Sequence, residues 1–440
     1  MKFVFQILVT LLAAINLLLA WPAFYRLRQP TTLALWGIKV FISAITPLLL
    51  LTGVLTAIAG LALNWTPAVV LGSAGALLFL IHIIAVTRAP HPSTNFEQAF
   101  GPGWEKRLPE ESKAGFLPRR YVFRLPAAPE PVFEQNIVFY TIPDTDRQLL
   151  CDIWQPPKQV KRSGLAFIYL HGSAWTVLDK DFGTRPFFRH LANQGHVIMD
   201  VAHRLFPETD FMGMTLDTKH AIAWMKVNAA AYGVNPDRIV IGGGSAGAHL
   251  ALLAAYTDQN RQLMPEDLTL ADISVRGVIS MYGQSDLEAT YFHTCQHLVT
   301  RSALSQKKKG ESGGMPSWAQ KSLGKDFHRL GFDKDAEPGI LAPMLGGTPA
   351  EKADVYALFS PLTHVHPGCP PTLFLHGEHD ILAPIKAIRQ LYGRLTQAGV
   401  PVVMHLIPLT DHAFDLILPK TSPSAHNAYY DVERFLALMA

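Results

Sequence analysis

The sequence predicts an α/β protein in which a mostly parallel sheet is covered by helices on both faces and is preceded by membrane helices. Three observations predict this fold class. From about residue 132, short apolar segments alternate with helix-length patterns, as in parallel sheets that are buried on both faces. The first ninety residues contain three long apolar stretches. At 239–241, a β-branched segment runs into a glycine cluster and then into a helix pattern, which is typical of a sharp strand-turn-helix connection.

The composition of the 440-residue chain excludes several classes of function. The net charge is +3, and the only basic run is three lysines at 307–309, so we expect no nucleic-acid partner. Cys151, Cys295 and Cys369 are widely separated, so neither a disulfide framework nor a cysteine metal site is predicted. We expect no cofactor.

Three predicted membrane helices, at about 3–25, 40–63 and 68–86, form an anchor over residues 1–88. Each is close to the ~20 residues that a helix needs to cross a bilayer. Residues 64–67 are short enough to force the second and third helices into a hairpin. Small residues would let these two backbones approach closely, namely Gly53, Ala57, Gly60, Gly72, Ser73 and Gly75. The spans contain no acidic residue and only Lys39 near one edge, which argues against a transporter.

The basic residues of the anchor predict its orientation. Arg26, Arg28 and Lys39 lie between the first and second spans and Arg88 follows the third, whereas the turn at 64–67 is uncharged. The positive-inside rule then places both basic loops, and everything after residue 88, in the cytoplasm. We therefore expect an integral membrane protein in contact with membrane lipids. An alternative is that the first stretch is a cleaved signal peptide, which would reverse this orientation.

Residues 89–131 contain eight prolines and cannot form one helix, so we interpret them as a linker. The domain at 132–440 follows. It is predicted to contain a helix at 212–232 and strands at 136–141, 148–154, 164–170, 197–201, 239–241, 275–281, 371–375 and 402–407. The first two strands should form an antiparallel pair. The alternation lapses between 288 and 356, where the sequence predicts a lid or an inserted surface segment.

Ser245 is the candidate nucleophile. Gly243 and Gly247 flank it in the pattern G-x-S-x-G, in which the serine occupies the apex of a strained turn and side chains at the flanking positions would collide. This geometry exposes the hydroxyl group. It also points the backbone N–H of Ala246 at the group that the hydroxyl attacks.

A serine hydroxyl needs a base, an acid that orients the base, and donors for the oxyanion. Asp380 follows one late strand and His412 follows the next, and the order serine, acid, histidine is the one expected for a triad on such a sheet. The sequence His-Gly-Ser-Ala-Trp at 171–175 ends an earlier strand. The N–H groups of Gly172 and Ser173 could therefore join that of Ala246 as an oxyanion hole.

Other polar residues compete for these roles. Asp411 and Asp415 are rival acids, but Asp411 adjoins His412 in sequence and is awkwardly placed to pair with its ring. Arg204 and Glu208 are expected to form a structural polar pair. The histidines at 364, 366, 376 and 379 lack the i, i+4 spacing of a zinc hydrolase, so no metal site is predicted.

From about 132 to 440, the chain resembles the α/β-hydrolase fold. Within that fold it is similar to hormone-sensitive-lipase-like and feruloyl-esterase-like carboxylesterases, a group that includes membrane-bound prenylcysteine methylesterases. The matching stretches are 171–172 with Trp175, 204–208, 232–238, 243–249, 376–380 and 411–414. The resemblance implies Ser245 as nucleophile, Asp380 as acid and His412 as base. One departure is that the family's usual His-Gly-Gly-Gly or His-Gly-Gly-x-Trp reads His-Gly-Ser-Ala-Trp here.

These residues predict a serine esterase that acts on small-molecule or lipid-like esters. An amidase, formamidase or peptidase of the same fold would use the same triad, so the sequence leaves that alternative open. A non-catalytic membrane scaffold is a further alternative, although a degenerate copy should have lost at least one of Ser245, Asp380 and His412. The acyl length, the alcohol group and the oligomeric state are not determined by the sequence.

Overall fold

The computed structural model describes residues 1–27, 33–294 and 340–440. The chain begins with four apolar helices, which are α1 (Lys2–Phe24), α2 (Leu33–Ala44), α3 (Thr46–Ala62) and α4 (Thr66–Val86). Helices α1 and α4 are each long and apolar enough to cross a membrane, and α2 with α3 would provide a third span if the bent pair counts as one.

The predicted single helix at 40–63 is wrong, because the chain breaks at Ile45 and the two helical pieces meet at 70°. Pro47, in the first turn of α3, explains the break: its ring has no N–H and would clash with the carbonyl group of Ser43 in a continuous helix. That carbonyl group instead accepts a hydrogen bond from the Thr46 hydroxyl at 3.0 Å.

Glycines set the spacing between α3 and α4. A Cβ atom at Gly53 would lie 2.7 Å from the backbone nitrogen of Ala76, and one at Gly60 would lie 2.7 Å from that of Val69. Larger side chains would push the two helices apart, so the small residues permit the close hairpin.

Helix α1 runs alongside this hairpin. The Gln6 side chain donates to the carbonyl oxygen of Leu63 at 3.2 Å, and the Trp65 indole donates to the Thr10 hydroxyl at 2.8 Å. At the opposite end, Phe24 contacts His82 edge-on. The start of α1 therefore lies beside the α3–α4 turn, and the ends of α1 and α4 lie together.

Residues 89–131 include the short helices α5 (Phe96–Phe100) and α6 (Glu110–Lys113). This segment packs on the domain that follows. Arg120 forms an ion pair with Asp431 at 2.8 Å, and the N–H of Leu117 donates to Glu433 at 2.8 Å.

An eight-stranded sheet forms the centre of the following domain. Its strands are β1 (Val132–Thr141), β2 (Gln148–Gln155), β3 (Ala166–Leu170), β4 (Val197–Val201), β5 (Ile239–Gly244), β6 (Gly277–Met281), β7 (Thr372–Gly377) and β8 (Val402–Ile407). They lie in the order β1-β2-β4-β3-β5-β6-β7-β8. Strands β1 and β2 pair with each other antiparallel, β2 pairs antiparallel with β4, and the other pairs are parallel. The predicted mostly parallel sheet is confirmed.

Helices cover both faces of the sheet. They are α7 (Arg185–Ala192), α8 (Phe211–Asn228), α9 (Ala246–Tyr256), α10 (Leu341–Leu345), α11 (Ala353–Leu358), α12 (Ile385–Gln397) and α13 (Pro423–Met439). One core cluster lies between the sheet and α8, α9 and α12, and a second lies between the sheet and α7 and α13.

The predicted lid or inserted segment at 288–356 falls largely outside the described residues.

Candidate active site

Ser245 lies at the turn between β5 and α9. Its φ is +53° and its ψ is −121°, a conformation that L-residues rarely adopt and that the surrounding structure must hold in place. A Cβ atom at either Gly243 or Gly247 would overlap the carbonyl oxygen of Leu170 on the neighbouring strand β3. Only glycine therefore fits on the two sides of this serine.

The structure brings Ser245, His412 and Asp380 together. The Nε2 atom of His412 lies 2.8 Å from the Ser245 Oγ atom. Its Nδ1 atom lies 2.9 Å and 3.1 Å from the two carboxylate oxygens of Asp380. The Asp380 carboxylate also accepts hydrogen bonds from the N–H groups of Leu382 and Ala383 at 2.9 Å and 2.7 Å. The histidine ring thus lies between a hydroxyl group and a buried, well-oriented carboxylate.

The surroundings of Asp380 favour its charged form. Burial by itself raises the pKa of this carboxyl group, but His412, His376 and the N–H of Ala383 together hold the pKa below its ordinary value. His376 lies 3.4 Å from the Asp380 carboxylate and 3.2 Å from the carbonyl oxygen of Ala383. Burial lowers the pKa of His376, and the Asp380 carboxylate acts in the opposite direction.

The two rival acids lie nearby but do not bond to the ring of His412. Asp411 accepts a hydrogen bond from the backbone N–H of His412 at 2.9 Å. Asp415 accepts one from the Tyr282 hydroxyl, and burial raises its pKa to about 6. Within the described part of the chain, Asp380 is the carboxylate that bonds to this ring.

The loop at 171–175 lies directly against Ser245. A Cβ atom at Gly172 would lie 3.4 Å from the Ser245 Cβ atom and 3.2 Å from the carbonyl oxygen of Gly244. The hydrogen bonds of the described residues leave the N–H groups of Gly172, Ser173 and Ala246 without a protein acceptor. These three groups are therefore free to bind an oxyanion.

Ser173 fits into this loop without a strained backbone conformation. The positive φ values in this loop occur at Ala174 (+43°) and Trp175 (+61°) rather than at Ser173. The Ser173 hydroxyl accepts a hydrogen bond from the N–H of Trp175 at 3.1 Å. The Trp175 indole in turn donates to His249 of α9 at 3.3 Å. The loop is thereby held to α9, the helix that follows Ser245.

Solved structures share this architecture. An esterase of Thermogutta terrifontis with bound butyrate superposes with a TM-score of 0.50 over 70% of this chain and 94% of that chain, at 21% sequence identity. Esterase B of Lactobacillus rhamnosis superposes with a TM-score of 0.50 over 74% of this chain and 90% of that chain, at 18% identity. The chain has the α/β-hydrolase fold.

Two parts of the sequence match family models, described as BD-FAE over residues 151–313 and as the prolyl oligopeptidase family over residues 330–437. It is 30% identical to a probable carboxylic ester hydrolase, LipM, of Mycobacterium tuberculosis over 65% of this chain and 57% of that protein. It is 28% identical to the esterase LipQ of the same organism over 72% of this chain and 68% of that protein. A probable isoprenylcysteine α-carbonyl methylesterase of Oryza sativa is 23% identical over 55% of this chain and 50% of that protein. The chain therefore spans between half and about two thirds of these relatives.

Sequence reasoning did not foresee that the N-terminal apolar helices reach the candidate site. The Trp36 indole donates to the backbone carbonyl oxygen of His412 at 3.2 Å. The Lys39 ammonium lies 3.1 Å from the Asp411 carboxylate. The available signal was the presence of one charge in a long apolar stretch, because such a charge is usually paired.

The predicted pairing of Arg204 with Glu208 is wrong. Arg204 instead pairs with Asp217 of α8 at 2.6 Å, and Glu208 pairs with Arg147 at 2.6 Å. Both partners are distant in sequence, so proximity along the chain was misleading. Among the described residues, no group of three or more His, Cys, Asp or Glu side chains is arranged to hold a metal ion.

Proposed function

We propose that this protein is a membrane-anchored serine carboxylesterase. The observation that carries the proposal is the continuous chain of hydrogen bonds from Ser245 through His412 to Asp380 at a strained strand-helix turn. This arrangement supplies a nucleophile, a base and an orienting acid within hydrogen-bonding distance. The similarity to carboxylic ester hydrolases supports an ester as the substrate.

The reaction would proceed by acyl transfer. His412 accepts the Ser245 proton as the hydroxyl oxygen attacks the ester carbonyl carbon. The carbonyl oxygen becomes an oxyanion held by the N–H groups of Gly172, Ser173 and Ala246. Collapse of this intermediate breaks the ester C–O bond, and His412 returns the proton to the departing alcohol. Water then attacks the acyl-enzyme with His412 again as base, which releases the carboxylic acid and restores Ser245.

Asp380 would stabilise the imidazolium form of His412 during both steps. Its lowered pKa keeps the carboxylate charged at neutral pH. Because Nδ1 is held by Asp380, Nε2 faces Ser245 and can accept the proton. The acid therefore acts on both the orientation and the charge of the base.

We also propose that the apolar helices span a membrane with the hydrolase domain in the cytoplasm. The end of α4 contacts this domain, because Asn427 donates to the carbonyl oxygen of Val86. The end of α1 packs against α4 through Phe24 and His82, and Arg26 and Arg88 follow the two ends. The positive-inside rule supports that side as cytoplasmic. Protease treatment of sealed vesicles tests the orientation: the hydrolase domain should be degraded in inside-out vesicles and protected in right-side-out ones.

A substrate panel tests the esterase activity. The detergent-solubilised full chain should hydrolyse p-nitrophenyl butyrate, and Ser245→Ala should lose that activity. Ser274→Ala, which removes an exposed serine hydroxyl, should retain it. Acyl chains of increasing length would show whether the protein prefers lipophilic esters, as a membrane anchor favours.

An amidase or peptidase is the second candidate, favoured by the match of residues 330–437 to the prolyl oligopeptidase family. Matched anilide substrates with the same acyl groups separate the two activities. A higher kcat/KM for the anilides would favour this second candidate. If Ser245→Ala keeps both activities, the hydrolysis comes from a contaminating enzyme. That outcome would favour a non-catalytic scaffold.

A further inference from the structure

Asp411 links the two loops that carry the candidate acid and base. One carboxylate oxygen, Oδ1, accepts hydrogen bonds from the N–H of Ile381 at 3.1 Å and from the N–H of His412 at 2.9 Å. Ile381 directly follows Asp380. A single oxygen atom therefore binds both the loop after β7 and the loop after β8, next to the side chains of Asp380 and His412.

The anchor supplies the counter-ion for this carboxylate. The Nζ atom of Lys39 in α2 lies 3.1 Å from the Asp411 Oδ2 atom and 3.0 Å from the Nδ1 atom of His379. The Lys39 and Asp411 side chains are each only 1% exposed. One helical turn earlier, Trp36 donates to the carbonyl oxygen of His412. Trp36 and Lys39, about one turn apart in α2, therefore both bind the loop that carries Asp411 and His412.

Removal of Lys39 would leave Asp411 buried without its counter-ion. An uncompensated buried charge is strongly unfavourable, so the carboxylate would move toward solvent. This movement would weaken its hold on the two N–H groups. The spacing of Asp380 and His412 would then relax, and misplacement of catalytic groups by about 1 Å can cost about 100-fold in rate.

We propose that Lys39 is a positioning residue for the esterase reaction, acting through Asp411 on Asp380 and His412, and that the anchor is thereby part of the catalytic unit. This inference rests on the proposed esterase function. It assigns Lys39 no contact with the substrate.

The test compares full-length variants in detergent, with active sites counted by fluorophosphonate labelling. Lys39→Met should lower kcat for p-nitrophenyl butyrate per labelled site by about 10- to 100-fold, with KM changed less than about threefold. The double variant Lys39→Met, Asp411→Asn should recover part of this loss, because an amide oxygen can still accept both hydrogen bonds without a charge. Lys219→Met, which removes another buried lysine far from the site, should keep kcat per labelled site.

An unchanged kcat per labelled site in Lys39→Met would overturn the inference. A fall in total activity that is explained entirely by fewer labelled sites would also overturn it, because that result would indicate a purely structural role for Lys39. Failure of the esterase proposal itself is recognised separately, since the native protein would then neither hydrolyse the ester nor become labelled.

A second feature, at the junction of anchor and hydrolase domain, is independent of this ion pair. A surface cavity of about 620 Å³ lies there, within the size range of small-molecule sites. It is lined by Arg26, Glu378, His379, Ile385, Lys386, Arg389 and Gln390.

The cavity is cationic. Arg26, Lys386 and Arg389 line it together with one carboxylate, that of Glu378. None of these three cations has a carboxylate within 4.0 Å in the described part of the chain, in contrast to the paired Lys39. The pKa of the His379 ring is lowered to about 3, by burial first and then by the charges of Lys39 and Arg26.

The position of the cavity matches the headgroup level of a bilayer that α1 would cross. Arg26 follows the end of α1 at Phe24 by two residues. Just before it, Trp21 and Tyr25 stack at 4.7 Å between ring centroids and are 55% and 41% exposed. Exposed tryptophan and tyrosine at a helix end typically mark the membrane–water interface.

We infer that this cavity binds the phosphate group of an anionic phospholipid. Basic pockets beside membrane helices on the cytoplasmic side bind such headgroups. The inference rests on the proposed membrane anchor and is independent of the esterase activity.

Calorimetric titration of the protein in a neutral detergent tests the site. Dihexanoyl phosphatidylglycerol should bind, whereas dihexanoyl phosphatidylcholine should bind at least about tenfold more weakly, a difference of about 1.4 kcal/mol. Lys386→Gln with Arg389→Gln should weaken phosphatidylglycerol binding at least tenfold. Lys158→Gln with Arg261→Gln, which removes two exposed cations elsewhere, should not.

Equal binding of both lipids, or equal loss in both double variants, would overturn the inference. Inorganic phosphate that binds as tightly as phosphatidylglycerol would also overturn it, because the site would then take the free anion. Flotation of the protein with vesicles checks the anchor separately, so its failure is distinguishable from that of the headgroup site.

Discussion

The Nε2 atom of His412 lies 2.8 Å from the Oγ atom of Ser245, although the two residues are 167 positions apart in the chain. Ser245 is held by the turn between β5 and α9, and His412 by the loop after β8. Parallel strands bring these two loops to the same edge of the sheet. The contact therefore depends on the sheet order as well as on each local motif.

Replacement of Asp380 distinguishes the proposed acid from its neighbours. Asp380→Asn should lower kcat by about four orders of magnitude, the loss seen when the equivalent acid of a serine protease is replaced by its amide. Asp415→Asn should lower kcat by less than about tenfold, because Asp415 bonds to Tyr282 rather than to the His412 ring. Steady-state kinetics with p-nitrophenyl butyrate checks both variants. A larger loss of kcat in Asp415→Asn than in Asp380→Asn would reverse the assignment of the acid.

Crowding of the proposed oxyanion hole should slow the reaction. In Gly172→Ala, the added methyl group would lie 3.4 Å from the Ser245 Cβ atom and 3.2 Å from the carbonyl oxygen of Gly244. We expect kcat to fall by about 100-fold, comparable to the loss of one oxyanion donor. Ser173→Ala keeps its backbone N–H and should lose less than about tenfold. The assignment of this loop would not survive an unchanged kcat in Gly172→Ala.

The glycines beside Ser245 should be intolerant of any side chain. Gly243→Ala would overlap the carbonyl oxygen of Leu170, and we expect it to destabilise the protein by at least about 2 kcal/mol, as overpacked sites do. Gly393→Ala is the matched control, because the added methyl group would have no atom within 4 Å apart from the neighbouring backbone of its own helix α12. It should be neutral or stabilise the helix by about 0.5–1 kcal/mol. Thermal unfolding measures both, and equal midpoints would contradict the close approach of β3.

Acid stability should depend on Asp431. Burial raises the pKa of this carboxyl group, but Arg120 and His405 lower it further, to about 2 from the usual 3.8. Because the folded pKa lies below the unfolded one, this group stabilises the fold fully above about pH 4 and loses that effect as the pH falls toward 2. The shift corresponds to about 2 kcal/mol.

Asp431→Asn should therefore unfold at a lower temperature than the native protein at pH 7, with a difference that shrinks between pH 4 and pH 2. Glu105 is exposed and has no ion pair with another described residue, so Glu105→Gln should change stability by less than about 0.5 kcal/mol. If the difference in unfolding temperature between the native protein and Asp431→Asn stays constant down to pH 2, that result would contradict the ionic role of Asp431.

Local patterns were sufficient to predict the sheet and the grouping of site residues at its edge. The strand at Ile239–Gly244 and the strained Ser245 are both encoded by neighbouring residues, namely a β-branched run and flanking glycines. The loops of Asp380 and His412 each follow an apolar strand. Such signals are local and need no knowledge of distant contacts.

Other features depend on contacts between distant segments. The partners of Arg204 and Glu208 lie 13 and 61 positions away, and nothing in the local sequence identifies them. Lys39 was visible as an isolated charge, but its partner Asp411 is 372 positions away. The break at Ile45 was foreseeable, because Pro47 cannot continue a helix from the preceding turn.

We propose Ser245 as the nucleophile of an acyl-transfer enzyme. Fluorophosphonate labelling of the full-length protein, followed by mass spectrometry of its peptides, tests this assignment most directly. We expect one adduct, located on Ser245, and no adduct in Ser245→Ala. Full labelling of Ser245→Ala, or an adduct on another residue of the native protein, would rule the assignment out.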